Sequence, residues 1–438
     1  PAGYRERIAP ADAVEDVARI QALSAQQNLN TRFYRLADDA ADTVRLKVLH
    51  LGEPLSLSDL VVQLENLGLQ VRGMHPYAVE RASGPRVSIH DFELEHFDVA
   101  QVLRSGSRFE PAFARIWRGE IENDSYNRLL LSASLSWRQV AVLRTYAHYL
   151  KQIRFGFSQR FISDTLNAHP HMARQLVEFF EHRFDPATGA EESHSAADLM
   201  VEAIRADLEA VELLNEDRIL RRLLEVMEAT TRTSYFVKPD ADYIALKLAA
   251  ARISALPKPV PAFEIFVNAP HFEGVHLRTS AVARGGLRWS DRVEDYRTEI
   301  LGLVKAQLVK NAVIVPTGAK GGFVLKESGG TAVAGPSADR TFINALLDVT
   351  DNIVYGTVTR PTGLRCYDED DAYLVVAADK GTARFSDIAN EVATERGFWL
   401  GDAFASGGTH GYDHKAMGIT ARGAWVSVQR HFAERGVD

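Results

Sequence analysis

The stretch Ala283–Gly322, ARGGLRWSDRVEDYRTEILGLVKAQLVKNAVIVPTGAKGG, decides the fold of the second half of this chain. Its pattern predicts four successive elements: an Arg-Gly-Gly turn at Arg284, a helix over Glu294–Lys310, a buried strand over Ala312–Val315 and a glycine turn around Lys320. A lysine between glycines at the end of an apolar strand lies where backbone can approach a small anion closely. The stretch therefore predicts α/β architecture and chemistry on a small carboxylate.

Composition sets the limits on the class of protein. The 438 residues are 46% hydrophobic and 25% charged, which is typical of a soluble globular chain with two or three cores. The net charge of −8, without a basic cluster, argues against nucleic-acid binding. A single cysteine, Cys366, excludes an intrachain disulfide and fits a reducing cytoplasm. No apolar run approaches membrane-spanning length, so we predict no membrane partner.

Residues 1–97 alternate strands with short helices, which predicts an α+β domain. Thr43–His50 places apolar side chains at period two, as in a half-buried strand, and Ser58 could cap a helix over Asp59–Leu67. The order of elements resembles an ACT-like regulatory domain. A structural α+β module without a ligand remains equally open.

Residues 98–255 have a helical period and predict an all-helical region. Ser136 and Gln139 form a capping box, and the apolar positions of Ile219–Met227 recur at helical spacing. Asp185–Ser195 is predicted to be a loop or linker. An all-helical region of this kind is typical of a structural scaffold or of contact between subunits, and no functional site is predicted here.

Residues 256–438 predict an α/β domain. Phe263–Val267 reads as a strand, and Tyr373–Ala378 is a short apolar run of the kind buried on both faces. In such sheets ligands collect at the carboxyl ends of the strands, where Asp379 and Lys320 each follow a predicted strand.

Lys320 and Asp379 are the candidates for acid–base chemistry. A lysine is ordinarily a solvated surface residue, but partial burial among glycines would favour its neutral form, which can act as a general base. Asp379 could equally cap a helix or pair with Lys380. The catalytic interpretation is preferred because its strand delivers the carboxylate to the sheet's carboxyl end.

The candidates for carboxylate binding are basic or amide residues. Arg284 and Arg288 flank Gly285-Gly286, a turn that could hold a carboxylate by charge-assisted hydrogen bonds. Gln307 and Lys310 are three residues apart on one helix face and could reach the same ligand group. By contrast, Arg297 and Lys305 are predicted to lie on solvated faces.

Other motifs are absent from the sequence. Gly318-Ala319-Lys320 lacks the upstream glycine and the Ser or Thr of a phosphate-binding loop, and no G-x-S-x-G or G-x-G-x-x-G occurs. The histidines lack a third ligand at metal spacing, so no metal site is predicted.

Three segments, Arg284–Gly322, Tyr373–Gly381 and Asp402–Gly423, are together similar to the catalytic domain of glutamate dehydrogenases, specifically the large NAD-specific bacterial class. The similarity implies NAD-dependent oxidative deamination of L-glutamate to 2-oxoglutarate and ammonium. Two departures are notable: Arg284 stands where smaller family members have lysine, and Ala421 replaces a family glycine.

The resemblance also implies roles for single residues. Arg284 beside Gly285 and Gly286 would bind the distal carboxylate, Gln307 and Lys310 the α-carboxylate; Lys320 would activate water, Asp379 would relay protons, and Thr420 would face the nicotinamide. A homo-oligomeric, allosterically regulated cytoplasmic enzyme is expected.

The sequence ends at Asp438, where the family's nucleotide-binding Rossmann domain is expected to begin, and it starts at Pro1 without an initiator methionine. We therefore expect a fragment of a longer chain that is inactive alone. Two alternatives stay open: a non-catalytic regulatory or assembly module, and another amino-acid dehydrogenase of the leucine or phenylalanine type.

Overall fold

The computed structural model describes residues 2–81, 83–96, 98–310, 315–326, 334–378, 385–405, 408–409 and 417–437. The chain divides into two compact units, Pro1–Met227 and Glu228–Asp438. Each unit has its own sheet.

The first unit opens with two helices and a four-stranded antiparallel sheet of order β1-β2-β4-β3. The elements are α1 (Ala2–Arg7), α2 (Pro10–Ala22), β1 (Leu29–Tyr34), β2 (Thr43–Leu51), α3 (Leu57–Asn66), β3 (Gln70–Val79) and β4 (Val87–Glu95). Helix α3 is the crossover between β2 and β3.

Strand β2 is buried on both faces, not on one face as its alternation predicts. Val44, Leu46 and Val48 are fully buried, but so is Lys47, whose ammonium pairs with the buried carboxylate of Asp16 on α2. The alternation of apolar residues predicted the apolar face of β2 correctly. It could not reveal that Lys47, on the other face, has a buried partner in Asp16.

Helix α3 begins one residue after Ser56, whose hydroxyl accepts the Asp59 amide at 3.5 Å. The prediction that Ser58 is the cap was wrong. The helix ends before Gly68, whose φ of +84° suits glycine.

The rest of the first unit is helical. Its helices are α4 (Val99–Arg104), α5 (Gly106–Trp117), α6 (Leu129–Ser132), α7 (Trp137–Gln152), α8 (Gln159–Ala168), α9 (Pro170–Phe184), α10 (Ala190–Leu208) and α11 (Leu214–Ala229). The capping box at α7 is confirmed: the Ser136 amide donates to Gln139 Oε1 at 2.8 Å, and the Gln139 amide donates to Ser136 Oγ at 3.3 Å. The predicted loop Asp185–Ser195 is wrong in its second half, because α10 already begins at Ala190.

The second unit is built on a seven-stranded mixed sheet of order β13-β9-β10-β8-β7-β6-β5. Its strands are β5 (Thr230–Thr233), β6 (Ile244–Leu248), β7 (Phe263–Asn268), β8 (Phe272–Arg278), β9 (Ala283–Trp289), β10 (Thr317–Leu325) and β13 (Val375–Ala378). The pairs β13–β9 and β9–β10 are parallel, and the other pairs are antiparallel. The described residues of this unit also form a separate hairpin and four α-helices: β11 (Asn352–Val354), β12 (Thr357–Thr359), α12 (Tyr296–Lys310), α13 (Ala334–Asp348), α14 (Ser386–Glu395) and α15 (Ile419–Glu434).

The helical region does not extend to residue 255. Strands β5 and β6 belong to the seven-stranded sheet, and the division between units falls after Met227. The prediction of a helical region up to residue 255 missed strand β5 because its sequence, TTRT, has no apolar residue that would indicate a buried strand. Its burial depends on Arg232, which pairs with Asp351 at 2.8 Å, about 120 residues away along the chain.

Both predicted glycine turns are strands. Arg284–Arg288 lies within β9, and Lys320 lies in the middle of β10 instead of after a strand. Glycine is needed because β9 and β10 approach so closely that a Cβ at Gly285 would lie 1.4 Å from the Ala319 carbonyl oxygen. The predicted strand Ala312–Val315 falls mainly outside the described residues.

The two faces of this sheet are covered by different helices. Helix α13 packs on one face, where a Cβ at Gly274 would meet Phe342 at 2.5 Å. Helix α12 packs on the other, which we call the α12 face. There Arg297, predicted to be solvated, is fully buried and makes two hydrogen bonds of 2.6 and 2.7 Å to Glu264 of β7.

A buried acid in α13 generates a stability prediction. Asp339 is 1% exposed, and neither carboxylate oxygen has a hydrogen-bond partner in the part of the chain that the structure describes. Burial raises its pKa from 3.8 to about 7. As pH rises, the unfolded state ionises first, so the native state loses stability from about pH 4 until about pH 7.

Asp339→Asn should therefore raise the free energy of unfolding at pH 8, by up to ~4 kcal/mol, and have little effect below about pH 4. Urea unfolding across this pH range measures it. The control is Asp348→Asn on the same helix, which should destabilise because Asp348 accepts from Tyr243 and Arg396 at 2.6 Å each. Equal losses for both variants at pH 8 would contradict the prediction.

Candidate active site

Two parallel strands bring Arg284 and Lys320 to one face of the sheet. In the β9–β10 register, Gly318 pairs with Arg284 and Lys320 pairs with Gly286. Side chains in register on neighbouring strands point to the same face, and those two residues apart along a strand do so as well. Arg284 and Lys320 therefore share the α12 face.

The neighbours of Lys320 on this face are small. Gly318 and Gly322 precede and follow it by two residues, and Gly286 stands beside it on β9. The antiparallel neighbour on β8 is Leu277. A half-buried lysine thus rises from a floor with no side chain on three sides. The glycines at 318 and 322 let helix α12 pack closely on either side of the lysine.

Helix α12 covers the same floor and contributes Gln307. A Cβ at Gly322 would lie 2.4 Å from Ile300 Cδ1, and a Cβ at Gly318 would lie 2.8 Å from Gln307 Cβ. Gln307 Oε1 is buried and has no hydrogen-bond partner among the described residues. Because buried polar atoms are nearly always paired, this oxygen is suited to accept from a bound ligand.

The structure distinguishes between the two arginines of β9. Arg288 Nε pairs with Glu299 Oε1 of α12 at 3.0 Å, and Ser290 Oγ donates to Glu299 Oε2 at 2.6 Å. Arg284 is exposed and has no ion pair with any described residue. Of the two, Arg284 is the one available to a ligand carboxylate. Sequence reasoning missed Glu299, because no local spacing connects it to Arg288.

Three predicted site residues lie outside the described part of the chain, wholly or by their side chains. Lys310 ends α12, but its side chain lies outside the described set, as does the side chain of Thr420 in α15. Asp379 is also outside the described residues. It follows Ala378 directly in the chain, and Ala378 pairs with Leu287 of β9.

A buried ionic cluster on the opposite face holds the segment that leads into β13. It joins three basic residues of the sheet to three aspartates of the segment 351–371: Arg232, Lys247, Arg278, Asp351, Asp368 and Asp371. Arg278 also donates to the Tyr373 carbonyl at 3.2 Å, two residues before β13.

Burial disfavours the charged form of two groups of this cluster, and it lowers the pKa of the Lys247 ammonium. Burial alone would raise the pKa of Asp371, but hydrogen bonds and charge from Arg278 and Lys247 hold that pKa well below its ordinary value. Asp371 therefore stays ionised at neutral pH and keeps the start of β13 attached to the sheet.

Among the described helices, none is long and apolar enough to cross a membrane. Nor do the described ranges contain a group of three His, Cys, Asp or Glu residues that could hold a metal ion.

Fold and site together define an α/β domain whose mixed sheet presents basic and amide side chains on one helix-covered face. The family model for the bacterial NAD-glutamate dehydrogenase catalytic domain matches residues 203–438, and the chain belongs to that family. The models for glutamate dehydrogenase helical motif 3 and for its ACT3 domain match residues 121–186 and 28–104. The predicted order of ACT-like, helical and catalytic regions is thereby confirmed.

The relatives found by sequence comparison have names that agree with this family. The chain is 52% identical to the NAD-specific glutamate dehydrogenases of Halomonas elongata and Pseudomonas aeruginosa, over its whole length. It is 47% identical to that of Mycobacterium tuberculosis over 99% of its length. In each comparison the chain spans 28% of the relative's length.

The β9–β10 contact yields a test of the site's framework. Gly285→Ala should strongly destabilise the second unit, because the new Cβ would collide with the Ala319 carbonyl oxygen in the adjacent strand. The matched control is Gly302→Ala at an exposed position of α12, where an added Cβ would meet no described atom within 4 Å outside its chain neighbours and the backbone of its own helix. There we expect a gain of about 0.5–1 kcal/mol. Denaturant unfolding measures both, and wild-type stability of Gly285→Ala would refute the close approach.

Proposed function

We propose that this chain carries the substrate-binding half of an enzyme that oxidises L-glutamate to 2-oxoglutarate and ammonium with NAD. The observation that carries the proposal is the placement of Arg284, Lys320 and Gln307 around one glycine floor. Family membership and the names of the relatives support the choice of substrate and cofactor.

The proposed binding mode uses the two carboxylates of glutamate. The distal carboxylate accepts hydrogen bonds from Arg284, and the α-carboxylate accepts them from Lys310 Nζ and from the side-chain NH2 of Gln307. The glycine at 286, which pairs with Lys320, keeps the floor between Arg284 and Lys320 free of a side chain. An exposed guanidinium without an ion-pair partner among the described residues favours a dicarboxylic substrate over leucine or phenylalanine.

The proposed chemistry follows from these positions. NAD, when bound, supplies a hydride acceptor; within this chain only Thr420 is proposed to contact it, and the sequence has no G-x-G-x-x-G turn. Once the substrate has become an iminium, Lys320 Nζ removes a proton from the water that attacks its carbon. Asp379 relays protons to and from the departing nitrogen.

We further propose a cytoplasmic homo-oligomer regulated through the ACT3 domain. The match over residues 28–104 and the single cysteine support this picture. A non-catalytic regulatory or assembly module is the alternative that the following measurements separate from an enzyme.

Lys320→Ala in the complete enzyme should abolish glutamate-dependent NADH formation, because Lys320 is the proposed general base that takes the proton from water. Lys305→Ala, which removes an exposed lysine of α12, is the control and should leave the rate unchanged. Retained activity of Lys320→Ala would end the assignment.

Arg284→Ala should weaken 2-oxoglutarate binding about 10- to 100-fold, the effect of losing a charge-assisted carboxylate contact. Calorimetric titration of the complete enzyme measures it. Arg292→Ala is the control, since Arg292 is exposed and pairs with its neighbour Asp295. Binding that is insensitive to Arg284, or no binding at all, would favour the non-catalytic alternative.

A further inference from the structure

Helix α2 contacts the four-stranded sheet through a carboxylate. Asp16 is the one residue of α2 that is buried, at 1% exposure. Val14 and Val17 on the same helix are 70% and 51% exposed. A surface helix normally buries its apolar side chains and exposes its charges. Ile20, partly buried, packs against the apolar cluster of Leu49 and Ile89. The contact of α2 with the sheet therefore combines this apolar packing with the polar recognition of Asp16.

The carboxylate of Asp16 lies in a site made for a carboxylate. It accepts from the Lys47 ammonium, from the Tyr4 hydroxyl and from Arg32 Nη1, the last at 2.9 Å. Arg32 and Lys47 are register partners on β1 and β2, so the sheet itself positions both cations. Lys47 is fully buried, and its Nζ lies 4.4 Å from the centre of the Tyr34 ring.

The cover formed by α1 and α2 matches this face incompletely. Three buried polar atoms on the same side of the sheet have no hydrogen-bond partner in the described ranges: Arg45 Nη1, Tyr77 Oη and Asp91 Oδ2. A permanent core partner would be expected to satisfy such atoms. Moreover, Arg32 and Lys47 lie within the matched domain, residues 28–104, whereas Asp16 precedes it.

We propose that Arg32 and Lys47 form a binding site for a small carboxylate ligand, in which Asp16 is an internal competitor. Without ligand, Asp16 occupies the site and α1–α2 cover the sheet. A ligand that binds only the uncovered state shifts the equilibrium toward release of α2. The site shares no residue with the proposed active site, and its test does not depend on glutamate oxidation.

The experiment compares wild type with Asp16→Ala in the full-length protein. Hydrogen exchange should become about a hundredfold faster over residues 10–22, because a buried ion pair is lost. Amides of β2 and β4 should keep their protection. Succinate, titrated calorimetrically, should bind Asp16→Ala at least about tenfold more tightly than wild type, and adding Lys47→Met should remove that binding.

Glu15→Gln is the matched control. Glu15 also pairs with Arg32, at 2.8 Å, but is half exposed, so its loss should change neither exchange nor succinate binding appreciably. Three results would overturn the proposal. They are unchanged exchange over residues 10–22 in Asp16→Ala, loss of protection in β2 and β4 together with α2, and equal succinate affinity of wild type and Asp16→Ala.

Discussion

The close approach of β9 and β10 is the constraint on which the second unit depends. The Ala319 carbonyl oxygen lies where a Cβ at position 285 would be, so only glycine permits this pairing. The pairing in turn fixes the register that places Arg284 and Lys320 on one face. The adjacent glycines of β10 allow α12 to lie close against the same face and to bring Gln307 to it. The close approach of β9 and β10 thus determines the glycine floor around Lys320, and with the glycines of β10 it determines how α12 and Gln307 lie against that floor.

The opposite face of the same sheet carries a cluster of buried ion pairs. The cluster around Arg232, Lys247 and Arg278 buries charge, which by itself seldom stabilises a protein relative to apolar packing. What it provides is specificity: three aspartates from one segment each have defined partners on the sheet. That segment leads into β13, the strand that Asp379 follows in the chain. Ion pairs on the face opposite to the candidate site therefore hold the segment that leads into β13.

Much of the fold was predictable from local pattern. The capping box at Ser136, the strand at Phe263–Val267 and the helix ending at Lys310 are confirmed because each depends on residues a few positions apart. The failures concern residues whose partners are distant. Strand β5 has no apolar period, Arg297 is buried only through Glu264, and Lys47 only through Asp16. No sequence window contains both members of such a pair.

The sequence by itself determined the composition of the site: an arginine before two glycines, an amide on a helix face and a lysine among glycines, in the order typical of one dehydrogenase family. Tertiary structure decided how these residues meet. The glycines that predict turns in the sequence lie within strands β9 and β10. Gly285 is required by the close contact between these two strands, which are neighbours in the sheet and not along the chain. Tertiary structure also decided that Arg284 remains available while Arg288 is bound to Glu299, since a charge is neutralised by whichever partner the fold brings near.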